Sequence, residues 1–290
     1  MRASTVSDYL DAAKKSMKSN ELLPVKTDKV TFRDSFEKDS LGPTTNIPST
    51  LIQKPFMLET RKQAKPELLA PAGDWSALRA AVINGCNAVY FGLPAFNARY
   101  RATNFSVEEL PSIIDYLHRH GVRGFVTLNT LIFEEEIEKI LEYLEQIYTA
   151  GTDAVIVQDI GLAYLLQEYF PDLEVHASTQ MSLSDALGVE TVHQKLSIKR
   201  AVLARELTIN QIGEIIQNIS IPVEVFVHGA LCVAYSGQCL TSEAIGGRSA
   251  NRGQCAQACR LPYDLIVDGK KQVLDDRHYL LSPSDLAVQI

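Results

Sequence analysis

Four cysteines lie close together towards the end of the chain and are candidates for binding a metal. They fall within 28 residues with the spacing C-x6-C-x15-C-x3-C, at Cys232, Cys239, Cys255 and Cys259. Thiolates are soft, negatively charged ligands, and four of them complete the usual ligand set of a structural zinc ion or an iron–sulfur cluster. Structural zinc sites tend to use closer cysteine pairs than the first pair here. The spacing therefore favours a 4Fe-4S cluster, with zinc as the alternative.

Histidines and arginines that follow predicted strands are candidates for catalysis and substrate binding. His176 and His228 are proton-transfer candidates, because the pKa of histidine lies near neutrality. Arg205 is predicted to act in the same site and Arg99 to bind substrate, since a guanidinium matches the geometry of a carboxylate. Each histidine could instead be a hydrogen-bonded structural imidazole, and Arg99 a solvated surface residue.

Three amide side chains also stand at or near predicted strand ends. Asn129, Gln158 and Gln180 could orient a substrate, or they could satisfy buried backbone groups. We predict them as substrate-binding residues.

Seven β-rich runs that alternate with helical patterns must position these residues. They are Leu68 to Pro71, Ala88 to Gly92, Gly124 to Asn129, Ala154 to Asp159, Val175 to Ser178, Ala201 to Glu206 and Val223 to His228. Such alternation predicts parallel βαβ units. No Gly-rich dinucleotide fingerprint follows the first strand, so an α/β fold of (β/α) TIM-barrel type is favoured, with catalytic groups at the carboxyl ends of its strands.

Local signals support these units. Ser106 with Glu109 and Thr208 with Gln211 fit capping boxes at helix starts. Gly85, Gly121 and Gly151 each precede an apolar strand by three residues, which predicts one type of αβ turn used three times.

Composition divides the chain into two parts. Residues 1–66 mix polar residues and proline without sustained periodicity, so we predict a flexible N-terminal extension before a barrel-like domain at 67–290. The net charge of the whole chain is -7; the domain is clearly acidic, whereas the extension is mildly basic. Nucleic-acid binding would therefore need a local basic patch or the extension. The chain has no apolar run long enough to cross a bilayer and no signal-peptide core, which predicts a cytoplasmic protein without a membrane partner.

The residues around the first two cysteines resemble a known signature. The segment Glu224-Val225-Phe226-Val227-His228-Gly229-Ala230-Leu231-Cys232, continued by Ser236-Gly237-Gln238-Cys239-Leu240, is similar to that of the collagenase-like peptidase family, number thirty-two of the peptidases of unassigned mechanism. The resemblance extends from Glu67-Leu68-Leu69-Ala70-Pro71-Ala72-Gly73 through His176-Ala177-Ser178-Thr179-Gln180 to Leu281-Ser282-Pro283.

The resemblance implies a barrel-like domain with a 4Fe-4S cluster held by the four cysteines, in an iron–sulfur insert at 229–262. It also implies oxygen-independent hydroxylation of a tRNA wobble uridine or a ribosomal RNA cytidine, with a prephenate-like carboxylate as donor. Peptidase activity is the alternative, although no His-Glu-x-x-His or Gly-x-Ser-x-Gly motif is present. The family's eighth strand is expected beyond Ile290, so the barrel is predicted to lack its last strand. A truncated, non-catalytic family member is a third possibility.

Overall fold

The computed structural model describes residues 65–99, 102–230, 232–273, 279–281 and 285–287. The N-terminal extension predicted at 1–66 therefore lies outside the described residues, except for its last two.

Seven parallel strands form one sheet in which the spatial order follows the order along the chain. Six parallel pairings join each strand to the next one along the chain. All seven predicted strands are present, but several end earlier than predicted, because the residues that follow them begin helices and loops. The strands are β1 (Leu69–Pro71), β2 (Ala88–Gly92), β3 (Arg123–Leu128), β4 (Ala154–Val157), β5 (Glu174–Ala177), β6 (Arg200–Val202) and β7 (Val223–Glu224).

Six helices connect consecutive strands, as expected for parallel βαβ units. They are α1 (Trp75–Ile83), α2 (Leu110–Arg119), α3 (Ile137–Thr149), α4 (Ile160–Tyr169), α5 (Ala186–Leu196) and α6 (Ile209–Gln217). No helix among the described residues has the length and apolar character needed to cross a membrane.

The local signals in the sequence explain where these helices start and stop. The box between Thr208 and Gln211 caps α6. At α2 only one hydrogen bond of the predicted capping box forms: the Ser106 amide donates to the Glu109 carboxylate at 2.8 Å. The helix itself begins at Leu110, after both residues. Gly85, Gly121 and Gly151 have φ values of 81°, 69° and 78°, so all three αβ turns use the left-handed conformation that glycine adopts without strain.

The concave side of the sheet encloses an apolar core. Ala88, Phe125, Ala154, Ile156 and Val202 are buried there. Leu69 from β1 and Phe226 beyond β7 pack against the same group, so the sheet curves until its first and last strands share one interior. No described strand pairs β7 with β1.

Ion pairs join strands at the amino-terminal end of this interior. Arg200 on β6 donates to both carboxylate oxygens of Glu67, just before β1, at 3.0 and 2.9 Å. Arg123 on β3 is hydrogen-bonded to Glu174 on β5. The first pair joins the start of β1 to β6, and the second joins β3 to β5 past the intervening strand β4.

The chain after β7 departs from the predicted strand. β7 ends at Glu224. His228 is instead the first residue of a separate strand, β8 (His228–Ala230), which pairs antiparallel with β11 (Asp285–Ala287). The cysteine segment, defined here as residues 232–259, contains the short helix α7 (Thr241–Gly246) and is followed by a hairpin of β9 (Ile266–Val267) and β10 (Lys270–Lys271).

Candidate functional site

A cavity of about 210 Å³ opens at the carboxyl ends of the strands. Residues from β1, β2, β3, β4, β6 and β7 line it, together with the loops that follow β2 and β5. Its polar and charged lining residues are Tyr90, Asn97, Arg99, Thr103, Asn104, Thr127, Asn129, Ser178, Thr179, Gln180, Arg205 and Glu224. A concave site with convergent polar groups at this end of a parallel sheet is suited to binding a small polar molecule.

Four residues that the sequence predicted for the site line this cavity. Arg99, Asn129, Gln180 and Arg205 come from the loops after β2, β3, β5 and β6. Neither arginine forms an ion pair with a carboxylate within the part of the chain that the structure describes. The two guanidinium groups therefore give the cavity a positive charge that an anionic ligand could neutralise.

Arg205 has the most constrained environment of these residues. Its Nη1 donates to Sγ of Cys232 at 3.4 Å, and its guanidinium carbon lies 4.5 Å from the centre of the Phe226 ring. Its Nε is buried and has no hydrogen-bond partner among the described atoms. A buried donor without an acceptor is unfavourable unless a ligand or water supplies one.

Asn129 holds the loop that carries Arg99. Its Oδ1 accepts a hydrogen bond from the backbone amide of Ala98 at 2.9 Å, and its Nδ2 lies 3.5 Å from Oγ of Ser178. Ser178 in turn accepts from the amide of Gln180 at 3.2 Å. Asn129 thus positions the two sides of the cavity relative to each other.

Three predicted site residues lie elsewhere. His176 is 1% exposed and packs edge-to-face on Phe125, with its Nε2 3.3 Å from Glu174. Burial lowers the pKa of His176, although the Glu174 carboxylate opposes this shift. Gln158 is buried with an unpartnered Oε1, and His228 is exposed on β8. None of the three lines the cavity.

Among the cavity residues that the sequence reasoning missed, Tyr90 and Glu224 are ionisable. Burial raises the pKa of the Tyr90 phenol. The charges of Arg99, Arg205 and Glu224 also act on this phenol, so the four groups lie close together. Burial raises the pKa of Glu224 to about 6, against the opposing effect of Arg200. A charged residue inside the apolar run of β7 was the signal that could have identified Glu224.

The first half of the cysteine segment is fastened to the rim of the cavity. The amide and hydroxyl of Ser236 donate to the two carboxylate oxygens of Glu206 at 3.1 and 2.9 Å. The Ser236 hydroxyl also accepts from the Arg205 amide at 3.1 Å. Next to it, Gly237 has a φ of 75°, and a side chain there would collide with the carbonyl oxygen of Gln180. This packing places Cys232 and Cys239 beside the strand ends.

The second half is fastened on the other side of the barrel. Arg252 pairs with Glu136 at 2.6 Å and also bonds the carbonyl of Leu131, in the loop after β3. The contacts of Arg252 therefore anchor this half of the cysteine segment to the loop after β3 and to Glu136.

The four thiols lie within electrostatic range of one another. Burial raises the pKa of Cys259, and negative charge on Cys255, Cys232 and Cys239 raises it further. Among the described residues, however, no group of three His, Cys, Asp or Glu side chains is arranged to hold a single metal ion.

Comparison with known proteins identifies relatives that differ in name. The chain is 44% identical over 219 residues to 23S rRNA 5-hydroxycytidine C2501 synthase of Escherichia coli, covering 76% of this chain and 33% of that protein. It is 37% identical over 227 residues to tRNA hydroxylation protein P1 of Bacillus subtilis, covering 77% and 54%. It is 35% identical over 233 residues to a collagenase of Porphyromonas gingivalis, covering 76% and 55%.

The chain thus spans between a third and just over half of the length of these relatives. A family model described as peptidase family U32 matches residues 73–289, which is most of the domain described above. On this match, the chain belongs to peptidase family U32.

Proposed function

We propose that this chain is the catalytic barrel of a protein that hydroxylates a pyrimidine nucleoside in tRNA or ribosomal RNA. Two of the relatives reported above are named for RNA hydroxylation, one on ribosomal RNA and one on tRNA. The observation that carries the proposal is Arg205, which lines the cavity and also contacts Cys232. One side chain thereby touches both the small-molecule site and the proposed redox site.

The donor of the new hydroxyl group is proposed to be a small carboxylate of the prephenate type. Arg99 and Arg205 supply two guanidinium groups, and the unpartnered Nε of Arg205 awaits an acceptor. Charge-assisted hydrogen bonds of this kind are about twice as strong as neutral ones. The cavity volume of about 210 Å³ suits an organic acid of metabolite size.

The four cysteines are proposed to hold a 4Fe-4S cluster, with zinc as the alternative. The soft donor set, the mutual proximity of the thiols and the guanidinium beside Cys232 support this assignment. When bound, such a cluster supplies one-electron transfer. Arg205 then offsets part of the thiolate charge, and the packing of Ser236 on Glu206 keeps the first two cysteines at the rim of the cavity.

Peptidase activity receives no support from the described site. Ser178 lines the cavity, but its hydroxyl contacts Asn129 and the amide of Gln180, and neither His176 nor His228 reaches the cavity lining. A serine nucleophile needs an adjacent base. The peptidase name therefore follows from the family and one relative, and not from a catalytic geometry.

RNA analysis in a deletion strain tests the proposed function. Nucleosides from tRNA and ribosomal RNA are separated by chromatography and quantified by mass spectrometry, with and without the natural protein that carries this chain. We expect one hydroxylated pyrimidine to disappear on deletion and to return with the wild-type gene. It should not return with Arg205→Gln, whereas Arg119→Gln, an exposed arginine paired only with Asp115 on α2, should restore it. An unchanged nucleoside profile in the deletion strain would contradict the proposal.

A further inference from the structure

Glu224 is a buried carboxyl group whose hydrogen bonding is incomplete. It lies on β7, its side chain is 17% exposed, and it lines the cavity. Its Oε2 is buried and has no hydrogen-bond partner among the described atoms. Since buried carboxylate oxygens are almost always hydrogen-bonded, this oxygen calls for an explanation in terms of proton or ligand binding.

The neighbouring cation forms only a long ion pair with this oxygen. Arg200 lies with its Nη1 3.5 Å from Oε2 of Glu224, but both of its terminal nitrogens donate to Glu67 at shorter distances. Burial therefore dominates, and it raises the pKa of Glu224 to about 6, while Arg200 lowers the pKa and Glu67 raises it. The other titratable or charged groups near Glu224 are Tyr90 on β2, Arg99 in the loop after β2 and Arg205 beyond β6.

A ligand that carries a carboxylate changes this balance. Without the ligand, most Glu224 side chains are ionised at pH 7. A second carboxylate in the same small cavity disfavours ionisation of Glu224, because like charges in one site raise the pKa of the weaker acid. Protonation also turns the unpartnered oxygen from an acceptor into a donor.

We propose that Glu224 is the proton-binding residue of the cavity: it takes one proton from solvent when a carboxylate ligand binds between Arg99 and Arg205, and its hydroxyl then donates to that ligand. The proton returns to solvent when the ligand leaves, so the cycle needs no other reactant. Binding is thereby selective for ligands with an acceptor opposite Glu224. The proposal rests on the carboxylate-binding part of the proposed function.

Isothermal titration calorimetry with prephenate as the probe tests this inference. The titration is carried out at pH 7 in phosphate and in Tris, whose ionisation enthalpies differ, so that the buffer dependence of the heat gives the protons taken up per ligand. We expect net uptake approaching one proton for wild type and none for Glu224→Gln, which keeps a donor but does not titrate. The Kd of wild type should rise by up to tenfold per pH unit between pH 6 and pH 8, and that of Glu224→Gln should stay nearly constant.

Glu174→Gln is the matched control. Glu174 is a strand glutamate outside the cavity lining, and hydrogen bonding to His176 together with Arg123 holds its pKa at about 2, so it stays ionised throughout this range. This variant should keep the proton uptake of wild type. Binding without proton uptake, or equal uptake in Glu224→Gln, would overturn the role of Glu224 and leave the proposed carboxylate donor standing. Absence of prephenate binding at every pH would overturn this inference together with the carboxylate donor of the proposed function.

Discussion

Arg205 and Cys232 are in direct contact: the guanidinium Nη1 lies 3.4 Å from Sγ of the cysteine. The same guanidinium stacks on Phe226 and lines the cavity. The contact ties the loop after β6 to the start of the cysteine segment, so changes at Arg205 should affect both the cavity and the thiols.

Replacing Arg205 should weaken ligand binding. For Arg205→Gln we expect at least a tenfold rise in the Kd for prephenate, equivalent to about 1.4 kcal/mol, because a charge-assisted hydrogen bond is lost. Arg205→Lys should recover only part of the affinity, since an ammonium lacks the planar fork. Calorimetry gives the affinities, and Arg119→Gln should bind like wild type. Wild-type affinity in Arg205→Gln would remove this residue from the site.

Replacing a cysteine of the segment should remove the metal. Anaerobically purified wild type should contain about four irons and four sulfides per chain, as a 4Fe-4S cluster requires. Cys239→Ser should lose most of both, together with the visible absorption. Cys86→Ser is the control, because Cys86 is a buried thiol before β2, outside the cysteine segment. Stoichiometric zinc in the wild-type protein would instead establish the alternative assignment.

Glu224 should make the fold less stable as the pH rises. Its pKa in the folded protein is about 6, above the ordinary value of 4.5, so the folded state favours the protonated form. The stabilising effect of that proton is complete below about pH 4.5 and is lost as the pH rises through 6. Glu224→Gln should therefore gain up to about 2 kcal/mol relative to wild type between pH 4.5 and pH 7. Urea unfolding at both pH values measures this gain, and a pH-independent difference would contradict it.

Gly237 should be required for the position of the cysteine segment. Its φ of 75° and its contact with Gln180 leave no room for a side chain. Gly237→Ala should lower the metal content and reduce stability by roughly 1–3 kcal/mol, the usual range for an incompatible backbone position. Gly213→Ala within α6 should instead stabilise the protein by about 0.5–1 kcal/mol, because nothing lies within 4 Å of its added methyl group and alanine favours helix. Thermal unfolding and iron analysis of both variants distinguish the two effects.

The sequence predicted the sheet well because its signals are local. Apolar runs mark the strands, and glycines with left-handed conformations mark the turns that precede them, as at Gly121 before β3. The ends of strands were less predictable. Residues such as Asp159 were assigned to a strand, but the Asp159 side chain caps α4 by accepting from the Leu162 amide at 2.8 Å.

The site was predicted only in part, because side-chain depth within the barrel depends on contacts between distant strands. His176 lies below the rim, held by Phe125 and Glu174 from two strands, whereas Ser178, two residues later, reaches the cavity. Glu224 was missed because its burial depends on Arg200 and Glu67, and Glu67 lies before the first strand. No periodicity within one segment contains that information.

The sequential strand order affects how the domain can fold. Every strand of the main sheet pairs with the strand synthesised just before it, so each βα unit can join a growing sheet while the chain leaves the ribosome. Paired residues of consecutive strands are 19 to 35 positions apart, so each pairing needs only its own helical connection to be complete. The pair between Glu67 and Arg200 spans 133 residues and can form only after β6 is made. That late contact would convert an already assembled ribbon of strands into a curved sheet that encloses the cavity.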